Sequence, residues 1–303
     1  MEGLVIRTTG SWYKVLADDK VYDCRLRGNY RLRGSKQTNP VAVGDRVEFG
    51  IQDDGSGIIG SVADRRNYIV RKATKLSKQT HVIAANVDML CVVATLDFPR
   101  TSTGFIDRLL VTAEAYHIPA SVVFNKADLL DVESRVALDG LKGMYEKAGY
   151  AVFVTSAIEG SGVSELKNAV CGKTVLFSGH SGVGKSALLN AIEPSLNLRI
   201  GEVSHWSEKG RHTTTFAEIF PLPSVHAYLI DSPGIKEFGI VDIKTEELGH
   251  FFPEIRKRLH DCRFNTCTHT HEPGCAVKIA VENGEMAAER YTNYVRMLES
   301  MNV

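Results

Sequence analysis

The chain has 303 residues, 44% hydrophobic and 24% charged, with 36 basic and 36 acidic side chains and a formal net charge of zero. That length predicts two domains, or three if one is small, and the composition excludes a disordered, collagen-like or disulfide-scaffold chain. No apolar run approaches the ~18 residues needed to span a bilayer, and Met1-Glu2-Gly3 opens neither a basic leader nor an apolar signal segment, so the expectation is a cytoplasmic protein without a membrane partner.

Charge is unevenly placed: the first 80 residues hold 15 Lys and Arg against 9 Asp and Glu, and the remainder 21 against 27. The basic end reads as five short strands, at 4–6, 13–16, 21–26, 46–49 and 57–62, separated by turn residues such as Asp18-Asp19 and Asp53-Asp54-Gly55. Five strands in this length suit a small antiparallel barrel, of which the OB-fold is the commonest with a nucleic-acid face. The run from Arg25 to Lys36 carries Arg25, Arg27, Arg31, Arg33 and Lys36 with no acidic residue, and Tyr30 offers a stacking ring. It is either an RNA-binding surface or a solvated loop. The barrel is assigned residues 1–66, with a polar, basic connector over 67–80 opening a second domain that extends to 240.

From residue 86 onward, apolar strands (87–96, 120–124, 150–155, 174–178, 216–220, 225–230) alternate with helical segments (104–117, 134–148, 163–170, 185–192), the pattern of a parallel α/β sheet. Asn125-Lys126-Ala127-Asp128 follows the second of these strands and matches the N-K-x-D signature that reads guanine. The Asp128 carboxylate accepts from the guanine ring N–H and exocyclic amino group, a pattern adenine lacks, so adenine would leave it unpaired. Asn125 bonds the base edge and Lys126 covers the ring face. Thr155-Ser156-Ala157 ends the next strand, where a short loop through Ser156 and Ala157 caps the guanine carbonyl.

Gly179-His180-Ser181-Gly182-Val183-Gly184-Lys185-Ser186 lies between a strand and a helix and matches the phosphate loop G-x-x-x-x-G-K-[ST]. Its glycines turn backbone N–H groups toward phosphate oxygens, Lys185 reaches the β- and γ-phosphates, and Ser186 ligates Mg²⁺. Asp231-Ser232-Pro233-Gly234 closes a later strand, placing Asp231 as a further Mg²⁺ ligand and Gly234 near the γ-phosphate. Between them, Gly210-Arg211-His212-Thr213-Thr214-Thr215 supplies a threonine to Mg²⁺, Thr214 or alternatively Thr215. Ile235 stands where a Ras-like GTPase has its water-orienting glutamine, so unaided hydrolysis is expected to be slow, near the ~10⁻⁴ s⁻¹ of intrinsic Ras. His212 is the candidate for orienting water, with His205 a weaker alternative, and His180 is expected to support the loop backbone.

The guanine motif precedes the phosphate loop, the reverse of an ordinary small GTPase, and a circular permutation explains the order. Residues 241–303 form a third region, read as helical at 245–252, 255–260, 276–283 and 286–301. Cys262, Cys267, His269 and Cys275 there give three thiolates and an imidazole, suited to a closed, structural tetrahedral zinc site. His260 and His271 are rival ligands, and Cys24, Cys91 and Cys171 are expected in the core.

The permuted motif order, followed by Cys-x₄-Cys-x-His-x₂-Glu272-Pro273-x-Cys, resembles the bacterial ribosome small-subunit-dependent GTPase A family over essentially the whole chain. The resemblance implies a multidomain α/β protein with an N-terminal OB-fold barrel, a circularly permuted P-loop GTPase domain and a C-terminal helical zinc-binding domain. It implies late maturation of the small ribosomal subunit as the function, with the subunit and its rRNA and GTP/GDP as partners, and one structural zinc and Mg²⁺ as cofactors. The expectation is a monomer whose hydrolysis is stimulated by the subunit and coupled to release. Rival functions are an RNA-binding assembly module for which nucleotide is only a ligand, and a small-molecule kinase.

Overall fold

Side chains alternate between inside and outside along parts of the N-terminal strands, and the inward ones meet in one small core. In the computed structural model, which describes residues 1–28, 39–72, 80–198, 217–231 and 243–301, these strands are β1 (Glu2–Thr9), β2 (Trp12–Ala17), β3 (Lys20–Leu26), β4 (Arg46–Ile51) and β5 (Gly57–Val62). The antiparallel pairs β1/β2, β2/β3, β4/β5 and β1/β4, with the parallel pair β3/β5, close a five-stranded barrel. Val5, Val15, Cys24, Phe49 and Ile59 fill it. Gly57 is required where β5 crosses β3, because a Cβ there would run into the Cys24 sulfur.

The expected connector carries structure of its own. β6 (Tyr68–Lys72) pairs antiparallel with β7 (Thr80–Ala85). The short run Tyr68-Ile69-Val70, masked in the sequence by its basic surroundings, buries Ile69 to 1% exposure. Arg65 forks onto buried Asp45, with Nε and Nη2 each 2.7 Å from a carboxylate oxygen, and fixes the barrel's exit.

The chain continues with β8 (Met89–Ala94), α1 (Thr103–Ala115), β9 (Ala120–Phe124), α2 (Val132–Ala148), β10 (Ala151–Val154), α3 (Val163–Val170), β11 (Thr174–Ser178), α4 (Lys185–Ile192), β12 (Glu218–Leu222), β13 (Ala227–Asp231), α5 (Pro253–Arg256), α6 (Ala276–Glu282) and α7 (Ala288–Met301). Two compact units result: Met1–Met89, Lys167–Phe177 and Glu202–Glu237 form one, and Leu90–Leu166, Ser178–Gly201 and Phe238–Val303 the other.

In the first unit, β13 pairs parallel with β11 and antiparallel with β12, and β12 continues to β1 through Arg7 opposite Glu218. In the second, β9 lies parallel between β8 and β10. All six residues of β8 are buried, which explains its unbroken apolar run. α3, β11 and α4 have the boundaries expected from sequence. α2 begins two residues early because the Asp131 carboxylate caps it, accepting from Ser134 N at 2.8 Å.

The C-terminal helices depart from expectation. The helix expected over 245–252 is a 3₁₀ helix (Thr245–Phe251), and the one expected over 255–260 is split between α5 and a short 3₁₀ turn (Leu259–Asp261). Pro253 has no N–H to continue the ladder. Leu248, Phe252, Ile255, Val277 and Tyr294 pack there with Val111 of α1. Cys24 and Cys91 are buried as expected, whereas Cys171, in the turn after α3, is exposed. Among the described residues no helix is long and apolar enough to cross a membrane.

Candidate functional site

β9 delivers Asn125 at its carboxyl end, buried to 4% exposure. Asn125 Nδ2 donates to Val183 O at 3.0 Å, and its Oδ1 accepts the Thr155 hydroxyl at 3.1 Å. One side chain thereby joins the guanine motif, the loop after β10 and the phosphate loop. Lys126 adopts a left-handed backbone (φ 65°), and its ammonium donates to Phe98 O at 2.6 Å. Ser156 Oγ donates to Asp128 Oδ1 at 2.5 Å. Sequence alone gives Ser156 only a backbone role, and the side-chain bond fixes the direction in which Asp128 presents its oxygens. Ala157 follows, half-buried.

β11 runs directly into the phosphate loop. Cβ atoms at Gly179 or Gly184 would run into Val93 O and Asn125 Nδ2, so glycine is needed for the cradle to close. Gly182 and Gly184, at φ 85° and 89°, supply the left-handed turns around Ser181 and buried Val183. Lys185 Nζ donates to Gly179 O at 2.7 Å and His180 O at 2.6 Å, which holds the ammonium over the loop. Ser186 lies in the first turn of α4, whose exposed N–H groups favour an anion. His180 stacks its ring on Phe105 of α1, with centroids 3.7 Å apart and planes at 23°. The support expected of His180 therefore comes through its ring, and Phe105 is not legible from sequence as its partner. Glycine cradle, lysine, hydroxyl and helix end together fit a nucleotide's phosphates with Mg²⁺.

Asp231 ends β13, half-buried, at the strand terminus as expected. His212, Thr214 and Gly234, with the alternatives His205 and Thr215, and Ile235, lie outside the described residues.

The second cluster lies between the Leu259–Asp261 turn and α6. Ligand atoms of Cys262, Cys267, His269 and Cys275 all fall within 4.8 Å of one another. His269 Nδ1 is 3.5 Å from the sulfurs of both Cys262 and Cys275. Three sulfurs and one imidazole nitrogen fit a four-coordinate zinc ion. His260 and His271 are outside the group, and His271 Nδ1 instead meets the Thr270 hydroxyl at 3.0 Å. The connecting loop is held from both sides. Tyr291 and Tyr294 donate to the carbonyls of His269 and Thr268 at 2.7 and 2.9 Å. Glu272 accepts from Thr268 N at 2.6 Å and Thr270 N at 3.0 Å. Burial alone would raise the Glu272 pKa, but the Thr268 hydroxyl, which donates to the carboxylate at 2.7 Å, and these backbone bonds bring it down to about 2.

On the barrel, the Arg25 guanidinium lies 3.9 Å over the Trp12 ring across the β2/β3 pair. Tyr30, Arg31, Arg33 and Lys36 fall outside the described residues. Trp12 carries no signal in the sequence, since only strand register brings it beside Arg25.

Comparison with known proteins gives a consistent result. The RsgA GTPase family model matches residues 62–241, and the RsgA N-terminal domain model residues 2–59. A curated relative from Bacteroides thetaiotaomicron, named small ribosomal subunit biogenesis GTPase RsgA 2, is 51% identical over 300 residues, covering 99% of this chain and 96% of its own. The crystal structure of YjeQ from Thermotoga maritima superposes with a TM-score of 0.81 at 36% identity, covering 99% of this chain and 98% of its own. That of YloQ, described as a circularly permuted GTPase, gives 0.79 at 32%, covering 99% and 94%.

Proposed function

The chain belongs to the RsgA family of GTPases, and from that membership we propose how its own residues carry out the reaction. The protein is a GTPase of small ribosomal subunit biogenesis, with a circularly permuted GTPase fold. The observation that carries the residue assignment is the Asn125 bond to Val183 O, which sets the guanine motif directly beside the phosphate loop.

Asp128, directed by Ser156, accepts from guanine, Lys126 covers the base, and the Ser156-Ala157 loop caps its carbonyl. Gly179, Ser181, Gly182, Val183 and Gly184 wrap the phosphates, and Lys185 leaves the loop carbonyls to pair with β- and γ-phosphate oxygens. Gly234 approaches the γ-phosphate. Ser186, Thr214 and Asp231 hold Mg²⁺, which when bound neutralises charge on the transferred phosphoryl group. His212 orients the attacking water. The Cys262, Cys267, His269 and Cys275 set holds one structural zinc and ties together a C-terminal domain at 241–303, following a barrel domain at 1–66 and a GTPase domain at 67–240.

The small subunit and its rRNA are the partners, met by the basic barrel and the zinc domain of a cytoplasmic monomer. Subunit docking stimulates hydrolysis, and hydrolysis drives release. GTP turnover measured with and without purified small subunits tests this reading: stimulation supports it, and equal rates overturn it.

A further inference from the structure

Phe98, whose carbonyl accepts the Lys126 ammonium, stands beside the guanine-reading motif with no role in the assignments above. The residue is 73% exposed, and its backbone is left-handed at φ 58°. That conformation is unfavourable for a bulky residue and persists where surrounding bonds impose it. They do so here. Thr95 Oγ1 donates to Pro99 O at 2.5 Å, Thr101 N to Thr95 O at 3.0 Å, and Thr95 N to Thr101 Oγ1 at 3.1 Å.

The turn held in this way touches the site twice. Phe98 O accepts the Lys126 ammonium, and the Pro99 ring lies 3.3 Å from where a Gly182 Cβ would stand. It therefore borders the pocket from the base-covering lysine to the phosphate loop. A lone exposed aromatic needs no explanation by itself. One held in a disfavoured conformation beside Lys126 is placed as a cover for an apolar surface that arrives with the ligand.

We propose that Phe98 is a nucleotide-binding residue whose ring packs on the nucleoside of bound guanine nucleotide, against the ribose and the base edge beside Lys126. An apolar ring suits sugar and base, not phosphate, so its contribution is to nucleoside affinity. The proposal rests on the guanine-site reading above and adds a contact that the N-K-x-D motif does not contain.

The test is calorimetric titration of the full-length protein with GDP and, as a probe lacking the nucleoside, pyrophosphate. Phe98→Ala should weaken GDP about tenfold, within the range of base–aromatic contacts, and leave pyrophosphate unchanged. Phe98→Tyr should bind GDP within about twofold of wild type on the same principle. Equal GDP affinity in Phe98→Ala overturns the proposal, as does a parallel loss of pyrophosphate, which would mean that the ring only shapes the loop. Wild-type protein that fails to bind GDP would overturn the guanine-site reading itself, an outcome distinct from either.

Discussion

Asp128 and Arg290 are both held by short hydrogen bonds, but in surroundings of opposite character. Asp128 is half-buried, its carboxylate aimed by the Ser156 hydroxyl, and in the proposed role it selects guanine by presenting acceptors alone. Asp128→Asn substitutes a donor for one acceptor, so GTP should weaken by about 10- to 100-fold, the effect of one or two mismatched hydrogen bonds. Xanthosine triphosphate, with a carbonyl in place of the amino group, should bind better to the variant. Paired affinity measurements check this, and unchanged GTP binding would remove Asp128 from base recognition. Arg290 is 1% exposed and forks onto Glu254 at 2.7 and 3.0 Å while reaching Asp107 at 2.6 Å. Burial alone would lower its pKa, but Asp107 and Glu254 raise it above the ordinary value and keep it charged. Arg290→Met strands two buried carboxylates and should cost about 3–5 kcal/mol, read as a fall in the denaturant midpoint. Arg290→Lys should recover only part, because an ammonium lacks the planar fork.

Secondary-structure elements act here by connecting such residues. α1 offers Phe105 to the phosphate-loop histidine, Asp107 to Arg290 and Thr103 to the Glu289 carboxylate at 2.6 Å, so one helix bears on both the pocket and the C-terminal helices. The β2/β3 pair is the corresponding element of the barrel, presenting Arg25 on Trp12 at the start of the basic run. Neutralising Arg25, Arg27, Arg31 and Arg33 together should weaken subunit binding and flatten its salt dependence by roughly one unit of slope for each RNA phosphate no longer neutralised. Binding measured across a salt series decides it, and an unaltered slope would move the RNA contact off this element.

At the scale of the whole molecule, metal and partner are the two outside contributions proposed. Zinc at the Cys262, Cys267, His269 and Cys275 set would supply cohesion to C-terminal elements that are short, two of them 3₁₀ segments of 7 and 3 residues. Purified protein should hold one zinc per chain by metal analysis, and Cys267→Ala should unfold mainly the region after 241 while nucleotide binding persists. Zinc-free native protein would contradict the assignment. Small subunits should raise GTP turnover by ~10³- to 10⁵-fold, the range in which partners complete GTPase sites. His212→Ala should lose most of that stimulated rate and keep GTP affinity, because orienting water acts in the transition state. Full stimulation of the variant would assign the water to the ribosome.

The sequence by itself determined the order of the motifs, and with it the permutation, since phosphate and guanine chemistry demand particular residue types at short fixed spacings along one strand-loop-helix passage. It also marked the Cys/His set that the fold brings together, and the strands and helices with strong periodicity, such as α3 and α4, where local pattern and tertiary burial agree. Tertiary structure decided whatever depends on residues far apart in the chain. Asn125 meets Val183 across 58 positions and Asp107 meets Arg290 across 183, distances at which no local pattern exists. The β6/β7 hairpin belongs to the same class, because Ile69 becomes core only when β7 is laid beside it. Ser156 illustrates the division within one residue. Its place after β10 was legible, whereas its hydroxyl's bond to Asp128 exists only because parallel β9 and β10 bring their ends together.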